Sequence, residues 1–120
     1  MKNLAPHIFR QRLLIEGFYT THVNREVLEI YLLEVAEHLD LRTYGNPIVF
    51  SPASGMGRDE NAGYDAFVPL IDSGISAYIW SSAQFFSIVI YTCKGFNDQA
   101  AIEFTREYFA VSEEVVSASF

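Results

Sequence analysis

A single cysteine, Cys93, occurs in the 120 residues. No intrachain disulfide framework can therefore exist, and a reducing, cytoplasmic setting is the expectation. Basic residues are also few, with 8 Lys and Arg against 15 Asp and Glu and a formal net charge of -7. They are scattered along the chain, which argues against a phosphate-backbone partner and leaves nucleic acid out. No unbroken apolar run reaches the roughly 18 residues of a membrane span, so no membrane partner is expected. The opening residues, Met1-Lys2-Asn3-Leu4-Ala5-Pro6-His7, lack the apolar stretch of a signal peptide. His, Cys, Asp and Glu nowhere fall at metal-ligand spacing, so no metal is expected. No glycine-rich loop follows a strand and opens a helix, and Gly55-Met56-Gly57 alone makes no phosphate cradle. Repeats, linkers and low-complexity segments are missing too, so residues 1–120 read as one domain.

What remains is half hydrophobic and 15% aromatic, enough for one real core. Residues 10–20 read as a first strand. Asn24 is placed to cap a helix over Arg25–Leu39, where Val27-Leu28, Tyr31-Leu32, Val35-Ala36 and Leu39 recur at helical spacing. Ile48-Val49-Phe50 reads as a short strand, and residues 53–62 as a polar, glycine-containing, mobile loop. Tyr64–Ile71 reads as a strand in which Pro69 marks an edge or a bulge. Gly74–Trp80 and Phe85–Cys93 form a hairpin about the turn 81–84. Asn97-Asp98-Gln99 opens a second helix to about Phe109, and residues 114–120 supply a short edge strand. The order predicts an α+β two-layer sandwich, a mostly antiparallel sheet with two helices on one face.

A turn at 81–84 pairs residues whose numbers add to 165. One hairpin face then carries Ile75, Ala77, Ile79, Phe86, Ile88 and Ile90, and the helices must cover it. The other face carries Asp72, Gly74, Ser76, Tyr78, Trp80, Phe85, Ser87, Val89, Tyr91 and Cys93. It is too aromatic to face water as a large patch, so a ligand or a second copy should cover it, and a homodimer is expected. A one-residue register slip would exchange the two faces.

The run Asp72-Ser73-Gly74-Ile75-Ser76-Ala77-Tyr78-Ile79-Trp80 and the later Ile90-Tyr91-Thr92-Cys93-Lys94-Gly95 resemble two segments of the prokaryotic S-adenosylmethionine decarboxylases. Those enzymes carry E-S-H-x-S/T-I-H-T-W-P-E, followed by a strand ending F-T-C-G. Their serine-to-cysteine spacing of 20 is the spacing of Ser73 and Cys93. Phe50-Ser51-Pro52 resembles the family's F-S-P, and the likeness extends over about residues 10–110. The resemblance implies a small-molecule substrate, polyamine biosynthesis, and a proenzyme that cuts its own chain before the serine to leave a pyruvoyl cofactor. That ketone forms a Schiff base with the substrate amine and draws electrons from the breaking carboxyl bond. By position, Ser73 would be the pyruvoyl precursor, Asp72 its upstream neighbour and Cys93 the proton donor. Phe50 and Trp80 would wall an adenine, with Ser76 and Asp65 as further ligand-binding positions.

The chain also departs from the pattern. Tyr78 stands where the processing histidine belongs, and a phenol of pKa about 10 shuttles protons far less well at neutral pH than an imidazole near 6.5. Gly74 replaces the other histidine, Ser81-Ser82 replaces the Pro-Glu that would hold ribose hydroxyls, and Asp65 falls where the family has a serine involved in processing. Each candidate also has a plain packing explanation. Ser73 can be a turn serine, Cys93 a small buried apolar residue, Tyr78 and Trp80 interface packing, and Asp65 a solvated strand residue. Three functions therefore stay open: a lyase acting on S-adenosylmethionine or a related amino acid, a relative that does not self-cleave and binds an adenosyl or amine ligand or runs other chemistry on it, and a dimeric interaction module.

Overall fold

The protein is described from a computed structural model, which covers residues 1–51 and 62–120. The expected loop at 53–62 therefore lies outside the described residues except for Ala62. In chain order the elements are β1 (Gln11–Phe18), α1 (Arg25–His38), β2 (Ile48–Phe50), β3 (Gly63–Leu70), β4 (Ser73–Trp80), β5 (Phe85–Thr92), α2 (Asp98–Tyr108) and β6 (Val116–Ser119). The six strands form one antiparallel sheet in the order β2-β3-β4-β5-β1-β6, with both helices on one face. The expected α+β two-layer sandwich is the observed one.

Local chemistry sets the ends of the elements. Asn24 Oδ1 accepts from the Val27 N–H at 2.9 Å, and Asn97 Oδ1 from the Ala100 N–H at 3.0 Å, so asparagine caps both helices. Glu26 and Asp98 sit in the first turns, where the helix dipole favours an acid. Pro69 keeps its place in β3 because its carbonyl accepts from Tyr44 N–H, on the side away from β4. The missing proline N–H faces the same way, beyond the reach of the three-residue β2, so the ladder to β4 loses nothing.

The predicted hairpin register holds, from Ser73 opposite Thr92 to Trp80 opposite Phe85. Ile75, Ala77, Ile79, Phe86, Ile88 and Ile90 are buried under the helices, joined by Leu13 and Ile15 of β1 and Ala66 and Val68 of β3. Tyr31 of α1 lies at the centre of the helix layer, fully buried. Its hydroxyl pairs with Thr105 Oγ1 of α2 at 2.7 Å, which satisfies both groups in a dry interior. Phe109 stacks on Phe86 at 4.8 Å and so fastens the end of α2 to the sheet. No helix among the described residues is long and apolar enough to cross a membrane.

Candidate functional site

The sheet face opposite the helices is uncovered. Phe50, Phe67 and Tyr78 are 66%, 41% and 38% exposed, and Phe18, Ile48 and Tyr91 are exposed beside them. The pairings run one continuous row of side chains across this face: Phe50 on β2, Asp65 on β3, Tyr78 on β4, Ser87 on β5 and Glu16 on β1. Ser87 Oγ donates to Glu16 Oε2 at 2.8 Å. Asp65 and Glu16 thus stand on either side of Tyr78 in a row that mixes polar and aromatic side chains.

The candidate residues fall into three places along the sheet. Phe50, Asp65, Ser76 and Tyr78 come together as the lining of one open cleft of ≈ 210 Å³, completed by Ile48 and Phe67. Phe67 was not singled out from the sequence, although the two-residue connection Ile71-Asp72 puts it directly opposite Ser76 and could have revealed it. Its ring lies over Gly74, where an added Cβ would come within 2.4 and 2.6 Å of ring carbons. The side chain at 74 is absent so that Phe67 can occupy its space.

Asp72, Ser73 and Cys93 gather at the far end of β4. The Cys93 N–H donates to the Asp72 carbonyl at 2.7 Å, which extends the hairpin one pair past Thr92. Cys93 is exposed, so it does not serve as a small buried apolar residue. Ser73 has φ of 143°, a region that an L-residue adopts only under strain. A two-residue hairpin prefers positive φ within the turn itself. Ile71 and Asp72 do not take it, and Ser73 does instead. Tyr78 stands five residues along β4 from Ser73, about 17 Å at strand rise, so the two do not meet within one chain.

Trp80 lies at the opposite end of β4, against Phe85 at 5.4 Å, and Phe85 in turn meets Phe18 at 5.3 Å. It is outside the cleft that holds Phe50. Two larger and more open hollows, of ≈ 440 and ≈ 640 Å³, lie along the helices at Leu33 to Thr43 and around Glu34, His38 and Phe104, and hold none of the candidates. His38 rests its ring against Phe104 at 5.0 Å in the last turn of α1. No three His, Cys, Asp or Glu side chains among the described residues converge as a metal site would require.

Comparison with known proteins places this geometry in a lineage. The sequence profile of the family described as S-adenosylmethionine decarboxylase matches residues 16–119. The fold is similar to the crystal structure of the adenosylmethionine decarboxylase from Aquifex aeolicus, with a TM-score of 0.73, 14% identity, and coverage of 94% of this chain and 89% of that one. No curated protein sequence gives a match.

Proposed function

Because the chain belongs to the S-adenosylmethionine decarboxylase family, we propose that it cuts itself between Asp72 and Ser73 and decarboxylates an amino acid, either S-adenosylmethionine or a smaller relative. The observation that carries this reading is the positive φ of Ser73. That dihedral is defined through the Asp72 carbonyl carbon, so breaking the Asp72–Ser73 bond abolishes it and releases the strain, about 1–3 kcal/mol. The Ser73 hydroxyl would attack the Asp72 carbonyl carbon, and the amide nitrogen would leave with a proton, giving an ester; loss of the Ser73 α-proton with expulsion of the Asp72 carboxylate from the β-carbon would then part the two pieces. The negative charge that develops on the Asp72 oxygen would fall on the Cys93 N–H already bonded to it, as in an oxyanion hole.

A serine in this setting fits the family's pyruvoyl group, which supplies the electron sink for decarboxylation. Cys93, exposed and bonded through its N–H to Asp72, would return a proton from its Sγ to the substrate carbon after carbon dioxide leaves. The cleft at Phe50, Phe67, Ser76 and Tyr78 would hold the remainder of the substrate. The uncovered aromatic face would be closed by a second copy in a homodimer. Since Tyr78 and Asp65 lie far from Ser73 in their own chain, they would act on cleavage only across this face, from the partner.

A second reading is favoured by Gly74. The ring of Phe67 fills the place of a side chain that the family uses, which suits a relative that stays uncut and binds an adenosyl or amine ligand in the cleft. Intact-mass spectrometry separates the two. Fragments of residues 1–72 and 73–120 are expected, and Ser73→Ala should abolish them. One uncut chain after prolonged incubation would remove the cleavage reading and leave the ligand-binding one.

A further inference from the structure

Two buried side-chain atoms among the described residues have no hydrogen-bond partner: Arg12 Nε and Asp72 Oδ2. They belong to side chains of opposite charge at the same end of the sheet. Arg12 lies opposite Tyr91, which lies opposite Gly74. Asp72 is joined to Cys93, two residues further along β5. Two strand spacings and two residues of rise put their Cα atoms roughly 12 Å apart. The Arg12 guanidinium is held over the Phe120 ring at 5.5 Å.

Buried polar atoms in folded proteins are nearly always satisfied, and an exception asks what comes from outside the chain. An orphaned donor on a guanidinium and an orphaned acceptor on a carboxylate, at one end of the sheet, match the two ends of a zwitterion. We propose that Arg12 and Asp72 recognise the α-carboxylate and the α-ammonium of a free amino acid. The guanidinium fork matches a carboxylate. Asp72 would hold the ammonium next to Ser73, to which it is bonded. The amino-acid side chain would then run along the exposed side of the Phe67 ring, which covers Gly74, towards Ser76. The product of decarboxylation lacks the group that Arg12 binds, so this pair distinguishes substrate from product. The inference rests on the reading that the ligand lies at the Ser73 end of the open face, and not on cleavage.

The test uses the full chain carrying Ser73→Gly, which lacks the attacking hydroxyl and has a residue suited to that φ. Thermal shifts are measured with S-adenosylmethionine, L-ornithine and the twenty protein amino acids, each beside the amine that lacks its carboxylate. At least one amino acid is expected to bind, with its amine at least tenfold weaker. Arg12→Met should erase that preference and Arg12→Lys retain part of it. The proposal is overturned if no member of the set binds, if amine and amino acid bind alike, or if Arg12→Met leaves the preference intact. It is also overturned if Arg12→Met turns a dimer into a monomer in sedimentation, because the guanidinium then serves the second copy. Uncut wild-type chain that prefers carboxylates would keep this inference and remove self-cleavage. Cleaved chain without the preference would do the reverse.

Discussion

The Cys93 N–H and the Asp72 carbonyl meet at 2.7 Å, so the backbone of Cys93 touches the bond proposed to break while the residue itself is exposed. The two parts of one residue can therefore be tested apart. Cys93→Ala keeps the N–H and should cleave at the wild-type rate while losing decarboxylation. Cys93→Pro removes the donor and should slow cleavage by about 10²–10³, the usual effect of deleting one oxyanion donor. Time-resolved intact mass reads the first step and release of carbon dioxide the second.

Ser73→Gly should stabilise the uncut fold by about 1 kcal/mol, because glycine takes φ of 143° with little strain. Ser73→Ala should not, since alanine is strained there as serine is. Urea unfolding of the two variants makes the comparison, and equal midpoints would mean that Ser73 stores no strain.

Gly74→Ala should disturb the cleft more than the fold. The added Cβ would strike the tip of the Phe67 ring, an exposed side chain that can swing aside. A loss of less than about 1 kcal/mol is expected, together with weakened ligand binding. Adding Phe67→Ala removes the clash and should recover the lost stability, as measured by thermal melting with and without ligand.

Alkaline pH should unfold the protein through its tyrosines. Burial raises the pKa of Tyr31, Tyr19 and Tyr108 above the ordinary 10.0, with Tyr31 affected most. Below pH 10 both folded and unfolded chains keep these protons. Above it the unfolded chain gives them up first, so stability falls as pH rises. Unfolding midpoints in urea between pH 9 and 11 should decline, and Tyr31→Phe should flatten the decline.

Local signals carried much of this fold into the sequence. Asn24 and Asn97 announced both helices by capping chemistry, and the turn at 81–84 fixed the register of β4 on β5. The two faces of that hairpin followed from alternation alone. What alternation cannot give is the order of strands across the sheet. The pairing of β1 with β5 joins residues more than 60 apart in the chain, so the neighbours of Arg12 and the bond from Ser87 to Glu16 were out of reach. Trp80 and Phe50 share a face, yet Trp80 packs on Phe85 while Phe50 lines the cleft with Phe67, a division that alternation does not reveal.

Strand order decides what happens to a chain that has lost its Asp72–Ser73 bond. The first piece would carry β1, α1, β2 and β3, and the second β4, β5, α2 and β6. In space the pieces are interleaved, since β1 of the first lies between β5 and β6 of the second, and β3 of the first is zipped along β4 of the second. Neither can withdraw without unravelling the other. The nick would sever only a two-residue corner, and the molecule would continue as two intertwined chains held by one undivided sheet.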